Sequence, residues 1–489
     1  MGDFQMNGKI THKTIFQMAK NSGWDGSYNI KNDLAFKLLQ EEKKRKLKHF
    51  NDRLAVVMIE GKAVIVYREE DAATNVMTTR FSNSGSVKIL YCNKFLPLPV
   101  EENASKRDVK LTPIFDYWLV WSGRNEFKQI VFKPMPGMVA GSTDLPSNEP
   151  ILNLYQGLAF KPTPGNFDLI LDHIREVWCT GNEALFKYVI NWLARMFQIP
   201  GERGHTALVL HSGEGTGKNI IVDILVSAFG EHAFVASKSN DLVGRFNDHL
   251  GKAVLVFANE AVWGGDKQQE GALKQLITDE KMAVERKYIP TYHTKNCVHV
   301  IIASNNDWVA PMGMDDRRFV VLDVSEQKKR DWEYFQGLAK HIKNGGDRAF
   351  IHYLLNININ DFNPRVLPAV NSQTKYLNKV KTADSVTQWF LDCLERGSLG
   401  TTPEGDWEYG IQVSKNAAHQ AYTNWCVRMR INHRDTIAGM TKVLNKLVGV
   451  RQPQPRSNGK RERIYEFLPL SDCRQQIERL MGHEIDWDE

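Results

Sequence analysis

Short apolar runs separated by polar turns fill the first part of the chain. Over residues 1–150 the strand-like runs are LAVVMIEGKAVIVYRE, KILYCNKFLPL and KQIVFKPMPG, and such runs between turn residues predict strands. The charged segment KLLQEEKKRKLKHF predicts a solvated helix rather than a binding arm. The Pro- and Gly-rich stretch 132–150 indicates a linker or an extended arm. We therefore predict an N-terminal α+β region and linker over residues 1–150.

A helical pattern follows at 165–199, where large apolar residues recur at three- and four-residue spacing. These residues are Trp178, Phe186, Val189, Ile190, Leu193 and Phe197. We predict a helical collar or oligomerisation segment at 151–204.

Between 205 and 325, four buried-strand runs alternate with helical segments. The runs are TALVLH, AVLVFANE, CVHVIIAS and RFVVLDV. Continuous apolar runs of this kind are typical of strands covered on both faces, so we predict an α/β fold with a mostly parallel sheet. The predicted core covers 205–330. A helical region at 331–400 and a small C-terminal domain at 401–489 follow it.

Composition adds few restrictions. The chain has 489 residues, which predicts about three domains. Its net charge of +6 permits a polyanionic partner without requiring one. The six cysteines lie far apart and form no CxxC pair, which argues against a zinc site or a disulfide framework. Because no signal region or membrane-length apolar run is present, we expect a cytoplasmic protein without a membrane partner.

The segment SGEGTGKN separates two apolar runs of different period. Thr206–Leu210 predicts a buried strand, and the run after Lys218 predicts a helix that ends at Gly230. A glycine-rich turn between a strand and a helix N-terminus favours phosphate. The usual phosphate-loop pattern would have Gly at Ser212 and Ser or Thr at Asn219. A plain strand-to-helix turn with a stray lysine is the alternative.

We predict that this stretch, called the glycine loop below, binds ATP and Mg²⁺. Its predicted binding residues are Gly213, Glu214, Gly215, Thr216, Gly217, Lys218 and Asn219. Asn219 lacks the usual hydroxyl ligand, but it can offer an amide oxygen or hold magnesium through water.

Polar residues that end two later strand runs fit nucleotide hydrolysis. AVLVFANE ends in Asn259 and Glu260, where an acidic pair usually stands. Because the first position is an amide, Glu260 is predicted to be the general base and, with Asn219, a magnesium ligand. Asn305 follows the run CVHVIIAS and is predicted to orient the attacking water. Each feature alone is also common in purely structural roles.

The stretch MAVERKYIPTYHTK predicts two strands joined at a Pro-containing turn. Its basic residues are Arg286, Lys287, His293 and Lys295, and two tyrosines, Tyr288 and Tyr292, lie between them. Positive charge with aromatic rings suits a single nucleic-acid strand. A charged surface hairpin is the alternative.

The order and spacing of SGEGTGKN, VLVFANE, LKQLITDEKMAVERK and IIASNN resemble the superfamily 3 helicases. The resemblance is greatest to the ATPase core of phage, plasmid and poxvirus-type primase–helicases, and it covers about residues 155–330. It implies a P-loop AAA+-type ATPase core and a homo-hexameric ring on single-stranded DNA. It further implies that Lys218 binds phosphate, that Glu260 activates water and that Asn305 senses the γ-phosphate.

The same resemblance implies an arginine finger and a hairpin that grips DNA. Arg318, which directly precedes the run FVVLDV, fits the finger position better than Arg317. Lys287 and His293 fall in the hairpin. HKTIFQMAKNSGW, at 12–24, resembles the segment that follows the primase domain in fused proteins. We therefore expect a stand-alone helicase, or the helicase part of a longer chain, with a primase as a candidate partner.

Near the C-terminus, predicted helices around 414–447 precede VRQPQPRSNGKRERIYEFLPL. Two strands around the turn SNGK would make a winged-helix-like domain. Its wing would carry Arg456, Lys460, Arg461 and Arg463, which suit duplex phosphates. A packing module with a solvated wing is an equal alternative.

From these features we predict an ATP-dependent replicative DNA helicase of a phage, virus or mobile element. The alternatives are an ATP-dependent origin-binding switch that does not unwind DNA and a mobile-element defence ATPase.

Overall fold

The structure is a computed structural model of the chain. It describes residues 34–59, 61–72, 77–99, 109–139, 151–244, 246–260, 267–286, 289–305, 312, 316–368, 373–401, 406–457, 460–461, 463–481, 485 and 487. The chain divides into two compact units. The first comprises 1–133, 138–158 and 283–294, and the second comprises 134–137, 159–282 and 295–489. The domain boundaries predicted above stay predictions.

The first unit begins with helices and short strands. The helices are α1 (Leu34–Arg53), α2 (Ser84–Tyr91) and α3 (Ile114–Val120). The strands are β1 (Leu54–Ile59), β2 (Lys62–Glu70), β3 (Met77–Ser82), β4 (Phe95–Pro99), β5 (Val109–Pro113), β6 (Glu126–Phe127), β7 (Gln129–Val131) and β8 (Ile151–Asn153). Four of the strands form a sheet in the order β3-β2-β1-β6.

Two predictions for this region need correction. Helix α1 is not simply solvated, because Leu47 and Phe50 are buried in a core with Phe115 and Trp118. The run KILYCNKFLPL is a strand only from Phe95 onward, since its first part belongs to helix α2. The side chain of Asn83 accepts a hydrogen bond from the Ser86 N–H at 2.8 Å, which caps that helix.

The centre of the second unit is a five-stranded parallel sheet. Its strands are β9 (Ala207–His211), β10 (Ala233–Ala236), β11 (Leu255–Asn259), β14 (His299–Ser304) and β15 (Phe319–Asp323). They run in the order β10-β11-β14-β9-β15, and every pair is parallel. The four strands predicted from buried runs are confirmed. Strand β10 was not predicted, because it is a four-residue edge strand that is only partly buried and has no continuous buried run.

Helices accompany this sheet along the chain. They are α4 (Asp168–Asp172), α5 (Glu183–Gln198), α6 (Lys218–Phe229), α7 (Ser239–Val243), α8 (Lys267–Thr278), α9 (Trp332–His341) and α10 (Asp347–Asn356). The helical prediction for 165–199 is confirmed, and all six of its large apolar residues are buried. Helix α6 ends at Gly230 as predicted, where φ is +53°.

The predicted hairpin is present as β12 (Lys281–Arg286) and β13 (Ile289–Lys295), which form a two-stranded sheet. Pro290 lies inside the second strand rather than in the turn. Lys287 and Tyr288 are outside the described residues.

The last part of the second unit has its own buried core. Its elements are α11 (Gln373–Thr382), α12 (Ser385–Arg396), β16 (Ile411–Ser414), α13 (Lys415–Arg428), α14 (Ile437–Val448), β17 (Arg456–Ser457), β18 (Lys460–Arg461), β19 (Ile464–Phe467) and α15 (Leu470–Met481). Trp389, Tyr422 and Tyr465 lie in this core. The two predicted helices are confirmed, and β17 pairs with β18 around SNGK. The winged-helix assignment stays a prediction.

Among the helices of the described ranges, none combines the length and the apolar character that crossing a bilayer needs.

Candidate functional site

The carboxyl edge of the parallel sheet brings the predicted nucleotide residues together. His211, at the end of β9, pairs with Ser304 of β14 and with Asp323 of β15. Asn259, at the end of β11, pairs with Ala303. The chain leaves β9 for the distant edge strand β10, whereas β14 and β15 flank β9 on either side. Such a change of direction in the strand order is where open α/β sheets bind ligands.

The glycine loop follows β9 and leads into α6. Gly215 and Gly217 have φ values of +76° and +83°, a region that glycine adopts without strain. A Cβ on Gly217 would lie 2.5 Å from the ring of Phe335, so a larger residue has no room there. The hydroxyls of Ser212 and Thr216 lie 2.8 Å apart across the loop. The first N–H groups of α6 have no partners within the helix and can bind an anion.

Lys218 is the first residue of α6, and its side chain lies within the loop. Only 7% of the residue is exposed. Its Nζ donates to the carbonyl oxygens of Ser212 at 3.1 Å and Gly213 at 3.4 Å, and also to Oδ1 of Asn305. Burial lowers the pKa of Lys218, while the carboxylates of Glu260 and Glu214 oppose this shift. The loop therefore encloses a cation where a phosphate would need one.

Asn305 connects Lys218 to Glu260. Its amide Nδ2 donates to Oε1 of Glu260 at 2.9 Å, while its Oδ1 accepts from Lys218. The N–H of Glu260 donates to the carbonyl of Ala303 at 2.9 Å. Glu260 has a φ of +55°, which is strained for a residue other than glycine. The structure thus places an exposed carboxylate at the end of β11, one hydrogen bond from Asn305.

Asn219 and Asn259, the two departures from the usual motifs, face each other. Nδ2 of Asn219 donates to Oδ1 of Asn259 at 3.3 Å. Oδ1 of Asn219 is buried and has no hydrogen-bond partner in the described structure. Within the described ranges no cluster of three or more His, Cys, Asp or Glu could hold a metal. Magnesium in nucleotide sites usually takes only one or two protein ligands, with phosphate and water supplying the rest.

Arg318 lies at the amino ends of the parallel strands, opposite the carboxyl edge that carries the glycine loop. It precedes β15, and its carbonyl accepts from Ala207 at the start of β9 at 2.7 Å. Its guanidinium forms an ion pair with Asp316 at 3.0 Å. The glycine loop follows the opposite end of β9, so the full length of that strand, at about 3.3 Å per residue, separates Arg318 from the loop. A finger role would therefore act on another copy of the chain, and it stays a prediction.

The predicted DNA-binding positions are only partly described. His293 and Lys295 of β13 are exposed, and the side chain of Arg286 is not among those described. In the C-terminal hairpin, Arg463 is exposed. DNA binding at both hairpins stays a prediction.

Sequence reasoning missed two residues beside the loop. His173 is buried, and its Nε2 lies 3.2 Å from the carbonyl oxygen of Gly217. Its Nδ1 lies 2.9 Å from the hydroxyl of Tyr334 in α9. No local motif marks these residues, because the contacts join positions far apart in the chain. Tyr334 also lines a cavity of about 330 Å³. The other lining residues are Leu169, Asp331, Glu333, Gly337 and Leu338.

Two buried histidines predict a pH dependence of stability. Burial lowers the pKa of His173 to about 4 and that of His299 to about 3. Unfolding exposes both, and the unfolded chain then binds protons more readily than the folded one below the ordinary histidine pKa of about 6.5. Stability should be full above that pH and fall as the pH decreases towards 4.

We expect each histidine to lower the free energy of unfolding by about 1 kcal/mol when the pH falls from 7 to 5.5. Urea unfolding at several pH values measures this free energy. In His173→Gln, the free energy of unfolding should change less steeply with pH than in the wild type. An identical slope in the wild type and in His173→Gln would show that His173 does not contribute.

Comparisons with known proteins add to this geometry. A model of a family of unknown function, DUF5906, matches residues 210–318. The DNA primase-polymerase of Nitratiruptor phage NrS-1 is 29% identical over 217 residues. The match covers 42% of this chain and only 30% of that protein. The chain is therefore related to a phage replication enzyme over part of that enzyme's length.

Solved structures show the same relationship at the level of the fold. The apo structure of the NrS-1 C-terminal region has a TM-score of 0.57 at 18% identity and covers 86% of this chain and 98% of that one. Its A form has a TM-score of 0.54 at 17% identity, with the same coverage. At these identities the likeness shows a shared fold.

The predicted function is corrected by these findings. We predicted a replicative helicase, whereas the related phage protein is a DNA primase-polymerase. Unwinding is therefore wrong as the predicted activity, and the two alternatives, an origin-binding switch and a defence ATPase, are not supported. Membership of superfamily 3, the AAA+ assignment and the predicted ATP hydrolase activity are likewise not supported by these relatives. The predicted setting of phage DNA replication is compatible with the relative.

Proposed function

We propose that this chain acts in phage-type DNA replication and that its glycine loop binds a nucleoside triphosphate, of which ATP is the first candidate. The observation that carries the proposal is the grouping of Lys218, Asn305 and Glu260 around the loop at the carboxyl edge of a parallel sheet. The family match at 210–318 contains all three residues.

The glycine loop supplies what a triphosphate needs. Lys218 offers a buried positive charge, and the N-terminus of α6 offers backbone N–H groups and the positive end of the helix dipole.

Asn219 and Glu260 fit magnesium. The buried Oδ1 of Asn219 has no hydrogen-bond partner in the described structure, and Glu260 presents a carboxylate. Both are the oxygen ligands that magnesium prefers, directly or through water. When bound, the ion would neutralise charge on the phosphates.

Glu260 and Asn305 fit hydrolysis of the bound triphosphate. We propose that Glu260 accepts a proton from the water that attacks the γ-phosphorus, while the bond to the leaving diphosphate breaks and inorganic phosphate is released. Asn305, which donates to Glu260 at 2.9 Å, holds that carboxylate in place.

The related phage protein gives this site its setting. It is a DNA primase-polymerase, so we propose that nucleotide binding here serves priming or DNA synthesis. Single-stranded DNA is the proposed polymer partner, with the exposed His293 and Lys295 as contacts. A homo-hexamer and a separate primase partner remain proposals that rest on the sequence alone.

The test is a calorimetric titration of the wild-type protein with ATP, with and without Mg²⁺. We expect a dissociation constant in the micromolar range that weakens when Mg²⁺ is withheld, because the ion screens the phosphate charges. GTP, CTP and UTP in the same assay would define base preference. A protein that binds none of the four triphosphates would contradict the proposal.

A further inference from the structure

Two hydrogen bonds connect the glycine loop to helix α9 through one buried histidine. His173 begins a short π-helical turn, His173–Trp178, and has no exposed surface. One of its ring nitrogens contacts the Gly217 carbonyl at 3.2 Å, and the other contacts the Tyr334 hydroxyl at 2.9 Å. The rings of His173 and Tyr334 are stacked with centroids 5.9 Å apart. All three residues belong to the second unit.

The partners decide where the imidazole carries its proton. A carbonyl oxygen can only accept, so Nε2 of His173 must be the protonated nitrogen. Burial lowers the pKa of His173 to about 4, so the ring is neutral near pH 7 and Nδ1 is an acceptor. Burial also raises the pKa of Tyr334 to about 12, so its hydroxyl keeps the proton that it donates to Nδ1. The Gly217 carbonyl therefore selects the Nε2–H tautomer, and the Tyr334 hydroxyl, by donating to Nδ1, holds the other side of the ring in place.

The orientation of the Gly217 carbonyl determines the direction of the Lys218 backbone N–H, which would bind phosphate. In a planar trans peptide, the carbonyl oxygen of one residue and the N–H of the next point in opposite directions. Fixing the oxygen of Gly217 therefore fixes the direction of the Lys218 N–H at the start of α6. The same oxygen also accepts from the N–H of Ile220 at 3.2 Å. Because Gly217 has a φ of +83° and no side chain, its carbonyl is held by these two hydrogen bonds, one from the backbone and one from His173.

We propose that His173 is a positioning residue for the phosphate site and that Tyr334 holds its ring in place through Nδ1. This inference rests on the proposed nucleotide binding. Neither residue touches the phosphates. Their effect is to hold the Gly217–Lys218 peptide in one orientation, so that the loop need not be ordered when the ligand binds.

Three variants test the inference by ATP–Mg²⁺ titration, at a temperature well below the melting midpoint of each. His173→Leu removes the donor, and we expect affinity to fall by about tenfold. His173→Gln places an amide donor where Nε2 was, and its affinity should return to within about threefold of wild type. Tyr334→Phe removes the hydrogen bond that holds Nδ1 of His173, and it should weaken binding by about threefold to tenfold.

Tyr353→Phe is the matched control. Its ring stacks on Phe167 with centroids 4.7 Å apart, and within the described residues its hydroxyl makes no hydrogen bond to the glycine loop or to His173. The affinity of this variant should stay at the wild-type value. If His173→Leu does not fold, Tyr334→Phe decides the matter.

The positioning role is overturned if Tyr334→Phe binds like wild type, or if His173→Gln binds no better than His173→Leu. In either case, if Lys218→Ala loses ATP binding, the proposal of a nucleotide site at the glycine loop still holds. A wild-type protein that binds no triphosphate would overturn both proposals together.

Discussion

Lys218→Ala is expected to lower the affinity for ATP–Mg²⁺ by about 100-fold or more, since charge-assisted hydrogen bonds contribute about 1.5–3 kcal/mol each. The ammonium is the buried cation of the glycine loop, and among the described residues no other lysine or arginine hydrogen-bonds to the side chain of Asn305. Calorimetric titration measures the loss. The fold should survive, because the removed groups are hydrogen bonds to two loop carbonyls and an amide rather than apolar packing.

The control for this variant is Lys340→Ala, which removes an exposed lysine from α9. Its affinity should match that of the wild type. Lys218→Arg is a useful third protein, because it keeps the charge but places a larger head group in a buried position. If Lys218→Ala binds within about threefold of wild type while remaining folded, Lys218 is not the phosphate-binding lysine.

Glu260→Gln is expected to reduce hydrolysis by about 10²-fold to 10⁴-fold while leaving ATP binding nearly unchanged, because removing a general base has effects of that size. The substitution is close to isosteric, and the new amide oxygen can still accept from Asn305, which donates to Glu260 at 2.9 Å. Phosphate release in single-turnover reactions measures the chemical step, and titration measures binding separately.

Glu408→Gln is the control for Glu260→Gln. It neutralises an exposed carboxylate outside the glycine loop and the parallel sheet, and it should hydrolyse ATP like wild type. If Glu260→Gln also retains the wild-type rate, the general base is another group. If it loses binding as strongly as hydrolysis, the carboxylate acts through the metal instead.

The parts of the fold that could be predicted are those determined by local pattern. Four buried runs predicted four parallel strands, and the period after Lys218 predicted α6 up to Gly230. The edge strand β10 gave too weak a signal, since it is short and partly exposed. Helix α2 was mistaken for a strand because its apolar residues are consistent with either structure.

The site could be predicted only where its residues follow strand ends. Glu260 and Asn305 come directly after buried strands, and Lys218 follows the glycine loop that leaves β9. Parallel strands place such ends at one edge of a sheet. His173 and Tyr334 reach the loop from helices far away in the chain, so no spacing indicates them. The helicase prediction was wrong for a different reason. A nucleotide site indicates which ligand binds, but similar sites occur in proteins with many different functions, so the site alone does not identify a helicase.

The strand order of the parallel sheet has a consequence for synthesis on the ribosome. Strand β9 is the first of the five to be made, yet its neighbours are β14 and β15. Ala207 pairs with Val300, so 93 residues (300 minus 207) must follow before β9 finds a partner. At about 5–20 residues per second, its apolar run waits for roughly 5–20 s. During that time ALVL is a target for chaperones, and any fragment that ends before residue 299 leaves β9 unpaired.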